Sequence, residues 1–427
     1  MPDGSSTAHL YRPKLVTVLG EGYGVAAFRA DLMAAITVAI VALPLSMAIA
    51  VASGVGPERG LYAAIIGGTL VSALGGSRFQ IGGPAGAFIT LVAATAARYG
   101  VEGLLLTVLL SGIMLVVLGV LRIGSLIRHI PHAVTVGFTS GIALTIFASQ
   151  LKDLSGLKLS VPEPGPLLPK LETLAGAVAT VTPAALTLGL ATAALIFTLR
   201  RFRPLWPRKL IAVVLASGVV ALLHLPVVTI GSRFGGIPHG LSWPQLPPVS
   251  WSLILAVLPS ALSFTLLGGI ESLLSAKVAD GMTARRHRSN MELVAQGIAN
   301  IASALFGGIS VTGTIARTAT NIRAGARTPL SGIMHAAIVL LFMMVAAPLA
   351  SYVPLCALAA VLVVVCWNMA ERAEFVRLLA TWRTAAVLLA TFGFTVLVDL
   401  TAGIIAGCAI AAALALFERL TAHSKVH

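Results

Sequence analysis

The chain is a succession of long apolar stretches separated by short polar segments. Residues with no Asp, Glu, Lys or Arg among them cover 32–57, 60–77, 79–97, 103–121, 129–151, 173–199, 210–232, 234–270, 293–316, 328–370, 384–398 and 400–417. Most of these stretches match the roughly 20 residues that a helix needs to cross the hydrocarbon of a bilayer. The pattern therefore predicts an all-α polytopic membrane protein.

Two of the stretches are too long to be single spans. Residues 328–370 are long enough for two spans that break near Pro354, and residues 234–270 combine a Pro-rich loop with one span. A helix on each side of Lys277 and of the basic cluster at 285–288 brings the prediction to 14 transmembrane segments. The composition agrees, because only 10% of the residues are charged, against about 25% in soluble domains.

The formal net charge of +14 would suggest a nucleic-acid partner in a soluble protein, so its placement matters. With a cytoplasmic N-terminus and alternating spans, 22 of the 29 Lys and Arg residues fall on the inner side. Six fall outside, and Arg317 is left within the membrane. This asymmetry is the positive-inside rule. It predicts cytoplasmic N- and C-termini and removes the reason to expect nucleic acid.

The sequence gives little support for an enzyme or a metal-binding protein. The three cysteines lie in apolar stretches without metal-ligand spacing, which is typical of small core residues. No Gly-rich phosphate loop and no nucleophile with a base at recognisable spacing is present. We therefore expect neither an enzyme nor a cofactor or bound metal.

The two halves of the chain carry a faint internal similarity. SALGGSRFQIGGPAGAF (72–88) and SALFGGISVTGTIARTA (303–319) both begin with SAL, and both break an apolar run with glycines. An odd number of spans between them gives corresponding elements opposite directions, which is an inverted repeat. We predict a cytoplasmic N-terminus with an interfacial helix (1–30), seven spans (31–225), a Pro/Gly-rich linker (226–250), seven more spans (251–421) and a cytoplasmic tail (422–427).

The two glycine-rich segments predict broken helices in spans 3 and 10. Glycine is a poor residue for a helix interior, so each segment should be an extended stretch that turns into a half-helix near the midplane. Lipid cannot pair the exposed backbone groups, which must face protein or a polar cavity. Each half-helix start also offers free N–H groups and about half a positive charge. Two such starts facing one cavity favour an anion.

Arg317 lies just after the predicted half-helix start at Gly313. An intramembrane arginine costs about 2.5 to 3.5 kcal/mol on insertion scales, so something must compensate it. It could snorkel to the cytoplasmic rim or pair with a carboxylate to hold helices together. We favour a second interpretation, in which Arg317 attracts an anionic substrate, because the adjacent half-helix produces a field of the same sign.

Glu271 is the other charged residue that interrupts an apolar region, and it lies one helical turn from Ser275. A bound anion would raise the proton affinity of a nearby carboxylate, and protonation would in turn favour the anion. Glu271 and Ser275 are therefore candidates for proton coupling. The alternative is a glutamate locked to Arg317 or to a backbone group.

Four segments resemble the SulP (sulfate permease) family, bacterial relatives of the solute carrier family 26 anion transporters. They are residues 42–68 (ALPLSMAIAVASGVGPERGLYAAIIGG), 75–88 (GGSRFQIGGPAGAF), 268–283 (GGIESLLSAKVADGMT) and 290–331, which begins NMELVAQGIANIAS. The resemblance covers about 30–421. It implies seven plus seven inverted spans, a core domain (spans 1–4 and 8–11), a gate domain (spans 5–7 and 12–14), elevator-type transport and a homodimer.

The resemblance also implies a substrate site between the half-helices of spans 3 and 10. Its residues would be Ser46 and Ile49 on span 1, Gly83, Pro84, Ala85, Gly86 and Ala87 on span 3, Glu271 and Ser275 on span 8, and Gly313, Thr314, Ile315, Ala316, Arg317 and Thr318 on span 10.

This sequence departs from the family pattern at three places. Ala85 replaces a common aromatic residue, which should enlarge the pocket, and Ala316 replaces a common serine, which removes one hydroxyl. Family members usually continue into a cytoplasmic STAS domain, which the sequence ending FERLTAHSKVH does not include.

The segments GGIESLLSA and NMELVAQG are similar to the sequences of the bacterial dicarboxylate-transporting branch of this family. With the enlarged pocket, this predicts symport of fumarate or succinate across a bacterial inner membrane. Proton coupling fits better than sodium, because Ile315 places an apolar side chain where sodium would prefer oxygen. The alternatives are a sulfate, bicarbonate or chloride transporter or exchanger of the same family, a nucleobase permease of the same fold, or a non-transporting membrane scaffold.

Overall fold

The computed structural model describes residues 11–124, 131–161, 163–164, 167–203, 206–398 and 400–424, and most of them are helical. The helices are α1 (Lys14–Glu21), α2 (Val25–Ala52), α3 (Pro57–Tyr62), α4 (Gly68–Leu74), α5 (Ile89–Val120), α6 (His132–Ser155), α7 (Leu167–Gly176), α8 (Pro183–Phe202), α9 (Arg208–Leu223), α10 (Ile230–Phe234), α11 (Trp251–Thr283), α12 (Ser289–Leu305), α13 (Ile315–Arg323), α14 (Leu330–Ala350), α15 (Leu355–Met369), α16 (Arg372–Leu378), α17 (Trp382–Leu397) and α18 (Leu400–Ser424).

Short elements of other kinds connect these helices. A π-helical turn (Ala63–Gly67) joins α3 to α4, a 3₁₀ turn (Gly86–Phe88) leads into α5, and a second 3₁₀ turn covers Val178–Thr180. The two strands are β1 (Gly82–Gly83) and β2 (Thr312–Gly313). Both strands lie at the glycine-rich segments where the sequence predicts extended backbone.

Seven helices within the described residues are each long and apolar enough to cross a membrane. They cover Val25–Ala52, Gly86–Val120, His132–Ser155, Pro183–Phe202, Trp251–Thr283, Leu330–Ala350 and Leu355–Leu378. The all-α polytopic fold class is thereby confirmed. The remaining predicted spans coincide with shorter helices such as α9, α12 and α17 or with broken segments, so the count of 14 and the repeat boundaries stay predictions.

Helix ends follow local sequence signals. Pro354 precedes α15 as its N-cap, so the apolar run 328–370 divides into two helices there, as predicted. Gly156 ends α6 in the left-handed conformation (φ 63°), which glycine adopts without a steric penalty. The element α5 consists of two helices that meet at Gly100, where the backbone is not helical (φ 71°). That glycine joins the two helices with no separate loop.

The helices pack into two groups, which we call the core bundle and the gate bundle. In the core bundle (α2–α5 and α11–α14), α5 packs against α11 and α12, while α2 packs against α13 and α14. In the gate bundle (α6, α8, α9, α15, α17 and α18), α6 packs against α15 and α17, and α8 packs against α9 and α15. Helices α9 and α15 also contact α2 and so join the two bundles.

The strands pair in antiparallel fashion inside the core bundle, with Gly82 opposite Gly313 and Gly83 opposite Thr312. The two extended segments therefore run in opposite directions, as an inverted repeat requires. At Gly313 the neighbouring Gln80 leaves no room for a side chain, since a Cβ atom there would lie 1.7 Å from Nε2 of Gln80. The strand pair places the starts of the two half-helices side by side in a buried position.

Candidate functional site

Two helix starts face the same region of the core bundle. The 3₁₀ turn that leads into α5 begins at Gly86 after Ala85, and α13 begins at Ile315 after Thr314. In the described structure, neither Ala85 nor Thr314 caps its helix through a side-chain hydrogen bond. Backbone N–H groups in the first turn of a helix are then available to a ligand, and the helix dipole makes that ligand an anion.

The Arg317 side chain lies between these helix starts and is only 1% exposed. Its Nη2 atom donates hydrogen bonds to Oγ of Ser46 (3.2 Å) and to the carbonyl oxygen of Pro84 (3.1 Å). Its Nε and Nη1 atoms have no hydrogen-bond partner among the described residues. The guanidinium is thus buried between span 1 and span 3, which contradicts the alternative in which it snorkels to the cytoplasmic rim.

The charge of Arg317 is electrostatically unfavourable where it stands. It occupies the third residue of α13, at the positive end of the helix dipole, where an anion and not a cation is stabilised. It is also buried, and a buried charge without a counter-ion is costly. A bound anion would relieve both effects and could bond the two unpaired guanidinium nitrogens.

Gly83 permits the guanidinium to approach the backbone. A Cβ atom at this position would lie 2.0 Å from Nη1 and 3.1 Å from Cζ of Arg317, closer than atoms can pack. A larger residue would therefore displace the end of the Arg317 side chain, which explains the place of Gly83 in the predicted site.

Ser275 and Thr318 connect α11 to the half-helix α13. Oγ of Ser275 donates to Oγ1 of Thr318 (3.2 Å), which in turn accepts the backbone N–H of Ile81 (3.2 Å). The backbone of Ile81 also accepts the N–H of Thr314 (3.1 Å). These bonds fix span 8, the strand β1 segment and the half-helix relative to one another.

Glu271 lies one turn before Ser275 on α11 and is partly buried. Its Oε2 atom is buried and has no hydrogen-bond partner among the described residues. No ion pair joins Glu271 to Arg317 in that part of the chain. The alternative of a glutamate locked to Arg317 is therefore not what the structure shows.

The other predicted residues surround this centre with small or apolar groups. Oγ of Ser46 donates to the carbonyl of Ala42 (2.7 Å) while it accepts from Arg317. Ala316 is exposed at the start of α13. A Cβ atom on Gly86 would lie 3.7 Å from Cδ1 of Ile146 in the gate bundle. The buried members of this set are Ile49, Gly83, Pro84, Ala85, Ala87, Gly313 and Thr314, and Ile315 is partly buried.

A polar stripe on α12, which was not predicted from the sequence, stabilises the non-helical backbone of the two extended segments. Its members are buried and lie three or four residues apart, so they share one helix face; they are Glu292, Gln296, Asn300 and Ser303. The spacing itself is the signal that could have revealed the stripe, because a polar face on an apolar span must contact other polar groups.

Each member of the stripe bonds an extended segment. Oε2 of Glu292 accepts the N–H of Ser77 (2.9 Å), and Oγ of Ser303 donates to the carbonyl of Ile309 (2.7 Å). The side-chain amide of Asn300 accepts the N–H of Val311 (2.9 Å) and donates to its carbonyl (2.8 Å). Gln296 also donates to the carbonyl of Val311. The stripe thus supplies the hydrogen bonds that a helix would have provided internally.

Comparisons with known proteins all indicate the same family. A family model described as the sulfate permease family matches residues 28–392. The chain is 42% identical over 410 residues to the putative sulfate transporter YvdB of Bacillus subtilis, covering 95% of this chain and 77% of that protein. It is 31% identical over 411 residues to the bicarbonate transporter BicA of Picosynechococcus sp., covering 92% of this chain and 71% of that protein.

Solved structures of similar proteins share the architecture. The transmembrane domain of a cyanobacterial bicarbonate transporter BicA superimposes with a TM-score of 0.82 at 31% identity, over 90% of this chain and 98% of that one. The murine anion transporter Slc26a9 in its inward-facing state gives a TM-score of 0.87 at 16% identity, over 98% of this chain and 73% of that one. The second likeness concerns the fold alone.

Proposed function

The chain belongs to the sulfate permease family of anion transporters, and on that premise we propose that it carries small dicarboxylates such as fumarate or succinate inward together with protons. The proposed route is an elevator-type movement of the core bundle against the gate bundle. A homodimer in a bacterial inner membrane is part of the same proposal.

One observation supports the anion site most directly. Arg317 is buried between two helix starts without side-chain caps, and its Nε and Nη1 atoms have no partner in the described part of the chain. Two positive helix ends and a guanidinium create a potential that only an anion can neutralise. The planar fork of the guanidinium also suits a carboxylate, which can accept two parallel hydrogen bonds.

Proton coupling is proposed on the position of Glu271. Its Oε2 atom is buried without a partner, and burial disfavours a charged carboxylate. Arrival of an anion at Arg317 would favour the protonated form further, so substrate and proton would be carried together.

The choice of a dicarboxylate rests on the small side chains around the site. Ala85, Ala87 and Ala316 and the neighbouring glycines occupy little volume, which favours a substrate of several carbon atoms. A second candidate is sulfate or bicarbonate, and the names of the two relatives with the highest identities quoted above favour it.

Uptake into proteoliposomes distinguishes these candidates. The purified protein would be reconstituted and offered labelled fumarate, sulfate or bicarbonate, each with and without an inwardly directed proton gradient. We expect accumulation of fumarate that the gradient increases. Sulfate or bicarbonate uptake without fumarate uptake would replace the dicarboxylate with the second candidate, and uptake indifferent to the gradient would remove the proton.

Two substitutions test the roles of the charged residues. We expect Arg317→Ala to abolish uptake of every anion, and Glu271→Gln to abolish the response to the proton gradient. Arg286→Ala, at an exposed inner-loop position, is the control for loss of a positive charge and should transport normally. Normal gradient-driven uptake in both site variants would show that Arg317 and Glu271 have a structural use and not the proposed transport roles, provided that their melting temperatures match the parent protein.

A further inference from the structure

An apolar cleft lies between the gate bundle and the core bundle. It has a volume of about 490 Å³, and its walls are formed by α9 of the gate bundle and by α2 and α14 of the core bundle. The residues of α9 that line it follow the spacing of one helix face; they are Leu210, Val213, Val214, Ser217, Gly218 and Ala221. The cleft thus follows α9 over most of the length of that helix.

The lining suits a hydrocarbon chain and not the transported anion. Among the described lining residues, only Ser217 and Tyr352 carry an oxygen or nitrogen atom in the side chain. Oγ of Ser217 already donates to the carbonyl of Val213 (2.8 Å). A charged ligand would lose its hydration in this cleft without new hydrogen bonds in return. The cleft and the anion site are therefore different places with different chemistry.

The cleft is open to the surroundings and has the length of one lipid chain. Val214, Phe342 and Leu349 in its walls are exposed, and exposed apolar surface on a membrane-spanning helix contacts lipid hydrocarbon. From Leu210 to Ala221 the lining face extends about 16 Å along the helix axis. That is close to half of the roughly 30 Å of hydrocarbon in a bilayer, which is the depth of one leaflet.

One end of the cleft lies beside a strongly basic segment. Leu210 is the third residue of α9, and the ten residues before it, RRFRPLWPRK (200–209), include five Lys and Arg and no acidic residue. Arg201 and Arg203 are exposed, and the guanidinium of Arg203 lies 5.8 Å from the ring centroid of the exposed Trp206. Tryptophan is enriched at the boundary between hydrocarbon and headgroups, and basic residues there attract anionic lipids.

From this combination we infer that the cleft binds an acyl chain of an anionic phospholipid, whose phosphate headgroup is held by the basic segment 200–209. The inference goes beyond the proposed function, which includes no lipid. A chain in the cleft would lie between the two bundles that the proposed elevator movement displaces, so transport should depend on anionic lipid. The competing explanations are that any bulk lipid fills the cleft, or that a second copy of this chain packs a helix into it.

Lipid binding is measured first, without transport. The melting temperature of the purified protein in detergent would be followed with added dioleoyl phosphatidylglycerol, dioleoyl phosphatidylcholine or glycerol 3-phosphate, since a ligand stabilises the state that it binds. We expect phosphatidylglycerol to raise the melting temperature, phosphatidylcholine to raise it less because it carries no net charge, and glycerol 3-phosphate to have no effect because it has no chain.

A bulky residue in the cleft tests the place of binding. Gly218 has no other atom within 4 Å of where its Cβ atom would lie, so Gly218→Phe should fill the cleft and abolish the stabilisation by phosphatidylglycerol. Gly393→Phe is the matched control, because Gly393 of α17 has the same open space and does not line the cleft; its response should equal that of the parent protein. Val214→Trp narrows the cleft from an exposed position and replaces Gly218→Phe if that variant does not fold.

A pair of double variants tests the headgroup. Arg201→Gln combined with Arg203→Gln removes two exposed charges beside the cleft, and we expect the apparent affinity for phosphatidylglycerol to fall roughly tenfold or more. Arg285→Gln combined with Arg286→Gln removes two exposed charges from another predicted inner loop and should leave that affinity unchanged.

Equal stabilisation by the two phospholipids, or by neither, would overturn the inference, and so would an unchanged response in Gly218→Phe. A second copy in the cleft would appear as an oligomer that Gly218→Phe disrupts while the lipid response persists, and it would overturn the inference too. In proteoliposomes, uptake by the parent protein should increase with phosphatidylglycerol, and equal uptake without it would overturn the dependence of transport on lipid. Absence of uptake in all vesicles would defeat the proposed function and leave the binding result standing.

Discussion

At the scale of single residues, the site depends on a guanidinium that touches backbone. Arg317 donates to the carbonyl oxygen of Pro84, and Gly83 leaves the space that this approach requires. The arginine is costly where it lies, being buried and at the positive end of its own helix. Both features are consistent with a residue kept for binding an anion and not for stability.

We expect Gly83→Ala to lower uptake by roughly tenfold or more, because displacing the guanidinium weakens hydrogen bonds to a charged group, each of which contributes about 1.5 to 3 kcal/mol. The measurement is initial uptake rate against substrate concentration in proteoliposomes. Gly268→Ala is the matched control, since a Cβ atom there would lie 3.5 Å from Phe88 in ordinary contact. Equal rates for both variants would show that the close approach of Arg317 is unimportant.

At the scale of elements, α12 acts as a template for backbone that is not helical. Its buried polar stripe bonds the segments before β1 and β2, and Asn300 satisfies both the N–H and the carbonyl of Val311. Lipid offers no partner to such groups, so a broken span is stable only where protein replaces the missing bonds. The half-helices and α12 therefore form one structural unit.

Asn300→Leu should lower the free energy of unfolding in detergent by about 1 to 3 kcal/mol, since it leaves the buried N–H of Val311 without its acceptor. The control is Thr107→Val, which also removes a buried polar atom and keeps the shape of the side chain. Among the residues that the structure describes, Oγ1 of Thr107 bonds only the carbonyl of Gly103 within its own helix (2.7 Å), so that change should cost less than about 1 kcal/mol. A similar loss in both variants would mean that the template role is absent.

The broken helices could be predicted from the sequence, but the hydrogen bonds from α12 that stabilise them could not. Glycines inside apolar runs are a local signal, and they correctly predicted extended backbone followed by helices in both segments. The partners of that backbone come from α12, whose contribution depends on packing between helices and is not encoded locally.

At the scale of the whole molecule, two bundles meet along α2, and two oppositely directed segments pair within one of them. The antiparallel pairing supports the prediction that the two halves cross the membrane in opposite directions. In the sequence, the only signs of an inverted repeat are the shared tripeptide SAL and a few glycines. The two halves are similar in geometry but have few residues in common.

The orientation of the whole chain remains a prediction, which cysteine labelling tests. Lys158 and Arg286 are both exposed, and the charge distribution places Lys158 outside and Arg286 in the cytoplasm. In intact cells, a membrane-impermeant maleimide should label Lys158→Cys and should label Arg286→Cys only after the membrane is opened. Cys356 and Cys366 are buried and Cys408 is partly buried, so labelling of the parent protein gives the background signal of the native cysteines.

The reverse labelling pattern would invert the topology and move the basic loops to the outer face.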